Sequence, residues 1–84
     1  MIEIDLHGFE LVDAKSEIIF KMRENCDDSI ALIIHGYNQG RVLRSYIRSD
    51  RFILEMRKKG IILKRIEDYE DPEGTTTFFY ECKI

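Results

Sequence analysis

Two histidines, each at the end of a short apolar run, most constrain how this 84-residue chain folds. The first run, 2–7, alternates apolar and polar residues up to His7, and the second, 31–34, is continuously apolar up to His35. Both patterns are typical of strands, and the intervening segment 12–25 carries apolar residues at helical spacing. The order strand, helix, strand predicts a right-handed crossover between parallel strands. The two histidines are therefore predicted to face one cleft at the carboxyl ends of these strands, where such sheets bind ligands.

The remainder of the chain predicts two helices followed by two strands. A helix is expected from Arg41, and a shorter one over 51–59, capped by Ser49-Asp50 and closed by Gly60. Strands are predicted at 61–66 and 75–84, joined by an acidic turn over 67–73. The apolar stripe of the two helices is predicted to consist of Leu43, Tyr46, Ile47, Ile53 and Leu54. The order β-α-β-α-α-β-β predicts one domain over 1–84, a two-layer α/β sandwich with a four-stranded mixed sheet that ends in an antiparallel hairpin.

Length and composition narrow the classes of function. A chain this short has little core to spare for an internal pocket, so function is expected on the surface. No run approaches the roughly 18 apolar residues of a membrane span, and the start of the chain does not resemble a signal peptide. We therefore predict a cytoplasmic monomer without a membrane partner. Cys26 and Cys82 lack metal-ligand spacing, and we predict a helix-end thiol and a strand thiol in preference to a disulfide.

The net charge of −3 hides a strong segregation of charge. Residues 41–65 hold nine basic and two acidic side chains, a local balance of +7, so the remainder carries −10. Polyanions respond to local potential over roughly 8–10 Å more than to total charge. Arg41, Arg44, Arg48 and Arg51 would form one cationic stripe if their helix were continuous. We favour phosphate contact for this stripe over an ordinary solvated helix face.

Several residues near the two histidines are candidates for chemistry. Asp5 and His7 are predicted on one face of a strand, where a carboxylate can orient an imidazole, and His35 would supply a second imidazole. A general base with a phosphate-stabilising group is the minimum for phosphodiester cleavage. The same three side chains are a weaker candidate for a metal site, and loosely held Mg²⁺ or Mn²⁺ at the phosphate stays open. The turn after His35 adds backbone donors or base contacts from Gly36, Tyr37, Asn38 and Gly40.

The order of these motifs resembles the Smr (small MutS-related) domain family over nearly the whole chain. The resemblance rests on Ile4-Asp5-Leu6-His7-Gly8, Asp13-Ala14, Ile33-Ile34-His35-Gly36, Leu43-Arg44 and Gly74-Thr75-Thr76. Asn38 stands where the family has a second glycine, and the loop is one residue longer. The resemblance implies a fold similar to the C-terminal domain of translation initiation factor three. It also implies nuclease activity, with catalysis at Asp5, His7 and His35 and phosphate contact at Arg44.

The function predicted from residues and resemblance is a nucleic-acid endonuclease that reads structure more than sequence. Two alternatives remain open. One is a non-catalytic DNA-binding or RNA-binding module, favoured if the loop at Asn38 disables the site. The other is a protein-interaction domain that uses its acidic and basic faces. The residues do not distinguish DNA from RNA, nor metal-dependent from metal-free cleavage.

Overall fold

The computed structural model describes residues 1–36, 40–66 and 74–83. Along the chain these form β1 (Ile2–Asp5), α1 (Leu11–Glu24), β2 (Ile30–Ile34), α2 (Gly40–Ile47), α3 (Asp50–Lys58), β3 (Ile61–Arg65) and β4 (Thr75–Cys82). The predicted order of elements is therefore confirmed, with boundaries that differ by a few residues at most. The predictions for Tyr37, Asn38 and the acidic turn 67–73 lie outside the described residues.

The four strands form one mixed sheet in the order β1-β2-β4-β3. β1 and β2 are parallel, as the crossover through α1 requires, whereas β4 is antiparallel to both of its neighbours. The final hairpin therefore does not simply add to the edge of the sheet, because β4 inserts beside β2 and leaves β3 outermost. This arrangement confirms the two-layer α/β sandwich. No helix within the described ranges is long and apolar enough to cross a bilayer.

A single core lies between the helices and one face of the sheet. Alternate strand residues such as Ile4, Ile33 and Phe78 are fully buried there, opposite the apolar sides of the helices. The stripe predicted for α2 and α3 is partly wrong. Leu43 and Ile47 are buried, but Leu54 is 57% exposed, and Phe52 and Met56 occupy the core instead. The difference arises because the chain turns at residues 48–49, which resets the helical phase of α3.

The ends of α3 follow the predicted capping chemistry. The hydroxyl of Ser49 accepts a hydrogen bond from the backbone N–H of Phe52 at 3.3 Å, which satisfies one of the free donors of the first turn. Gly60 follows the helix with φ +84°, a conformation that favours glycine. The three helices also meet at Glu55, whose carboxylate contacts Lys15 of α1, Tyr46 of α2 and Arg51 of α3.

The two cysteines form a disulfide, contrary to the expectation of two separate thiols. Cys26 follows α1 and Cys82 ends β4, and their Cα atoms are 5.6 Å apart, well within the range that a disulfide spans. Sequence spacing did not predict this bond, because a separation of 56 residues says nothing about which chain ends the fold brings together.

Candidate functional site

The candidate site lies where β1 and β2 end and α2 begins. After β1, the backbone N–H of Phe9 donates to the carbonyl of Leu6 at 2.9 Å, which closes a four-residue turn. Gly8 occupies the third position of that turn with φ +84°, a value that a type II turn requires. This local geometry places His7 at the exposed tip of the turn.

Asp5 holds this turn through the backbone and not through the imidazole. Its Oδ1 accepts a hydrogen bond from the backbone N–H of His7 at 2.9 Å, a bond that Asp side chains commonly make to the backbone two residues further along the chain. The carboxylate therefore fixes where His7 projects from the chain. The expected contact between the Asp5 carboxylate and the His7 ring is not among the hydrogen bonds of the described residues.

His35 occupies a different environment from His7. The register of β1 and β2 continues so that His35 lies beside Leu6, and both side chains are buried, with His35 only 2% exposed. The neighbouring Gly36 lies against the ring of His7, since a Cβ added there would be 3.5 Å from Nδ1 of that histidine. The two histidines therefore meet at one end of the sheet, but one ring faces solvent and the other lies in the core.

The imidazole of His35 is held by a short chain of hydrogen bonds. Nε2 lies 3.0 Å from Oγ1 of Thr76, and Oγ1 accepts from Nε of Arg48 at 2.8 Å. Nδ1 lies 3.4 Å from the carbonyl of Gly36, which can only accept. All of these hydrogen bonds form at once if the ring is neutral, donates from Nδ1 to the Gly36 carbonyl and accepts a hydrogen bond from the Thr76 hydroxyl at Nε2.

Burial holds the pKa of His35 below its ordinary value, and the positive charges of Arg48 and Arg44 act in the same direction. A neutral imidazole is therefore the stable form near neutral pH. Because the ring is buried and both of its nitrogens have partners, it is suited to positioning the end of β2 and not to exchanging protons with a ligand.

The four arginines of the predicted stripe are separated by the fold. α2 ends before Arg48, and α3 begins after it, so no continuous helix carries all four. Arg48 turns toward the sheet, where it donates to the carbonyl of Thr75 at 2.7 Å as well as to Thr76. Arg51 pairs with Glu55 at 3.1 Å, four residues along α3. Two members of the stripe are thus engaged within the protein.

Arg44 and Arg41 remain on α2 as candidates for phosphate contact. Arg44 is half-buried and close enough for its charge to act on His35, yet no hydrogen bond or ion pair to its guanidinium is found in the described parts of the chain. Arg41 is exposed, one residue from the start of the helix at Gly40. A half-buried arginine that pairs with no acidic side chain in the described ranges favours an anionic ligand.

Thr76 belongs to this site but is not among the catalytic and binding residues predicted from the sequence. It is fully buried and links Arg48 of the helical layer to His35 of the sheet. A signal for it existed, because Gly74-Thr75-Thr76 is one of the motifs that resemble the Smr family, and Thr76 is the second residue of β4. Thr76 reaches His35 only because β4 lies beside β2 in the sheet.

Metal-ligand chemistry finds little support at this site. Among residues 1–36, 40–66 and 74–83, no three His, Cys, Asp or Glu side chains lie close enough together to hold a metal ion. His35 has both nitrogens engaged and Asp5 binds backbone, so Asp5, His7 and His35 do not form a ligand set.

No protein-family model, curated protein or solved structure matches this chain. The resemblance to the Smr family therefore stays a prediction that rests on its short motifs alone.

The buried state of His35 predicts how stability depends on pH. The unfolded chain binds a proton at His35 near pH 6.5, whereas the folded protein does so only at lower pH. We therefore expect the free energy of unfolding to fall as the pH is lowered below about 6.5. Urea denaturation between roughly pH 5 and 7 measures this slope.

Two glutamine variants test the assignment. His35→Gln should flatten the slope, whatever its effect on absolute stability, while His7→Gln, at the exposed histidine, should retain it. NMR titration of the His35 ring in the wild type gives an independent measurement, in which the ring should titrate below the ordinary pH of an imidazole. A slope unchanged in His35→Gln would contradict the assignment.

Proposed function

We propose that this chain is a nucleic-acid endonuclease of the Smr type that cleaves a phosphodiester backbone. The observation that carries the proposal is that two side chains lie near the end of the sheet where β1 and β2 stop. One is the exposed imidazole of His7, whose backbone Asp5 holds, and the other is the half-buried Arg44, whose guanidinium has no hydrogen-bond or ion-pair partner among the described residues. A neutral imidazole can accept a proton as a general base, and a guanidinium binds phosphate oxygens through paired donors.

In the proposed reaction, Arg44 binds the scissile phosphate and His7 accepts a proton. The proton comes from a water molecule or a ribose 2′-hydroxyl, whose oxygen forms a new bond to phosphorus while the bond to the leaving sugar oxygen breaks. Solvent protonates the leaving oxygen. Asp5 and His35 act as positioning residues, since Asp5 binds the backbone of His7 and His35 is buried beneath the turn.

The proposal also concerns the need for a metal ion and the cellular location of the protein. Because the described residues offer no metal-ligand set, no step is assigned to Mg²⁺ or Mn²⁺, and a chelator tests whether either ion is needed. The cytoplasm remains the proposed location, where nucleic acid is available as a partner.

A second candidate function is a nucleic-acid-binding module without catalysis. The observation in its favour is that His35 is buried and neutral, so only one imidazole is exposed at the site. With a single proton-transfer group, binding through Arg44 would persist while turnover would be absent.

The deciding experiment incubates the purified protein with labelled single-stranded and double-stranded DNA and RNA, with and without EDTA. His7→Gln should lower cleavage about a hundredfold while binding changes little, since a positioned base contributes on this scale. Arg44→Gln should weaken binding. It should also make the slope of log K against log salt concentration less steep by about one, because one phosphate contact is lost.

Arg57→Gln provides the matched control, because this arginine is exposed at the far end of α3 and should leave cleavage unchanged. Salt-dependent binding without any cleavage by the wild type would favour the binding module. If the protein binds none of these nucleic acids, both the endonuclease and the binding module are wrong, and the protein-interaction domain is favoured.

A further inference from the structure

Cys82, which forms the disulfide with Cys26, borders a small cavity near the ends of α1 and α3. The cavity has a volume of about 250 Å³ and is lined by Arg23, Lys59, Gly60, Ile61, Cys82 and Lys83. Both cysteines are half-buried, so the disulfide is partly open to solvent. Because Cys26 does not line the cavity, a reagent that enters it reaches the bond from the Cys82 side.

Three basic side chains surround this cavity, and its described lining includes no acidic one. Arg23 donates to the backbone carbonyl of Lys59 at 2.9 Å, a contact that orients the guanidinium and leaves its charge in place. Nζ of Lys83 lies 4.0 Å from the carboxylate of Glu81, and this exposed pair cancels little of the lysine charge. No ion pair to Lys59 is found within the described ranges. The cavity therefore attracts anions.

The surroundings of Cys26 carry the opposite charge. Along the chain this cysteine lies between Glu24 and the pair Asp27-Asp28, and the side chains of Glu24 and Asp27 are exposed. Asp28 is paired with the N-terminal ammonium at 2.7 Å. An anionic reagent is thus drawn to the Cys82 side of the disulfide and repelled from the Cys26 side.

We propose that this cavity binds an anionic low-molecular-weight thiol, one that carries carboxylates as glutathione does, and that the thiol forms a mixed disulfide at Cys82. The thiolate sulfur of the ligand attacks Sγ of Cys82 and a new S–S bond forms there. The bond to Cys26 breaks with its electron pair on Sγ of Cys26, which then takes a proton from solvent. The carbonyl of Arg23 lies 3.3 Å from that sulfur and can accept the new S–H.

This thiol site is separate from the proposed nuclease site. Cys82 pairs with Ile61, the first residue of β3. Because β3 is parallel to β1 and β2, its first residue lies at the opposite end of the sheet from His7, which follows β1. The proposal therefore does not depend on nucleic-acid cleavage, and each can fail without the other.

The rate at which thiols of different charge open the disulfide measures the attraction. Apart from the sulfur, glutathione is anionic, 2-mercaptoethanol is neutral and cysteamine is cationic. Each rate per thiolate is divided by the rate of the same thiolate with the disulfide of 2-mercaptoethanol, which corrects for thiol basicity. For the wild type at low salt, the normalised rate should be at least about tenfold higher for glutathione than for 2-mercaptoethanol, and lowest for cysteamine. Added salt should reduce the difference, because it screens the cations.

Single lysine variants test the role of the basic side chains. Lys59→Gln and Lys83→Gln should each lower the preference for glutathione severalfold. Lys64→Gln is the matched control, because it removes the same charge from an exposed position that alternates with the buried residues of β3 and so lies on the other face of the sheet. Lys64→Gln should keep the wild-type preference. Circular dichroism confirms that all three variants fold.

Mass spectrometry identifies the cysteine that carries the thiol. Wild-type protein treated briefly with glutathione, quenched with iodoacetamide and digested should give glutathione on the peptide that contains Cys82 and alkylation on the peptide that contains Cys26. Equal normalised rates for the three thiols would overturn the proposal. So would glutathione attached chiefly to Cys26, or Lys59→Gln and Lys83→Gln variants that behave like Lys64→Gln.

Discussion

Reduction of the Cys26–Cys82 disulfide is expected to lower the free energy of unfolding by about 4 kcal/mol. The bond joins residues 56 positions apart and thus closes a loop of most of the chain. Opening that loop increases the conformational entropy of the unfolded state more than it changes the folded one. Urea denaturation with and without a thiol reductant measures the difference.

The double variant Cys26→Ser/Cys82→Ser is the control for the reductant itself. Its midpoint should match that of the reduced wild type and should not respond to reductant. Equal midpoints for the oxidised and reduced wild type would show that the bond contributes nothing. The result also bears on location, because cytoplasmic conditions keep most thiols reduced, so in the cytoplasm the chain would exist in its less stable dithiol form.

The substitution Gly60→Ala is expected to destabilise the protein by about 3 kcal/mol, whereas Gly8→Ala should cost only about 1 kcal/mol. Both glycines have φ +84°, so a side chain is strained at either position. At Gly60, however, an added Cβ would lie 2.6 Å from the backbone carbonyl oxygen of Lys83, while at Gly8 it would meet nothing within 4 Å. Backbone cannot move aside as a flexible side chain can.

The difference between Gly60→Ala and Gly8→Ala gives the cost of the steric contact at Gly60, because the backbone strain at φ +84° is the same in both variants. Thermal or urea unfolding of both variants measures it. Equal losses at the two positions would mean that the chain after β4 yields to the added methyl group, and that the contact between Gly60 and Lys83 does not hold the end of the sheet in place.

Sequence patterns accounted for the elements themselves. Alternation in β1, the apolar run of β2 and the cap at Ser49 are local properties, and local properties determine where strands and helices begin and end. The parallel pairing of β1 with β2 followed as well, because a crossover through one helix leaves little choice. The placement of His7 and Arg44 at the same end of the sheet is a consequence of this local order.

Tertiary structure decided the environment of each site residue. His7 and His35 look alike in sequence, each followed by glycine at a strand end, yet one is exposed and the other buried, because β4 inserts beside β2 and brings Thr76 against His35. Arg48 and Arg44 lie four residues apart, but the chain turn after α2 directs only Arg48 into the sheet. Cys26 and Cys82 likewise form a disulfide because the packing of β4 against α1 brings the ends of these two elements together.

The physical basis of this division is the range of the interactions. Hydrogen bonds within helices and turns, and the alternation of side chains along a strand, depend on residues a few positions apart, so they can be read along the chain. Burial, hydrogen-bond partners and pKa depend on contacts between distant residues, such as Thr76 with His35 across 41 positions. The sequence by itself therefore determined which residues reach the ends of β1 and β2, and only the packing of β4 and the helices decided which of them faces solvent.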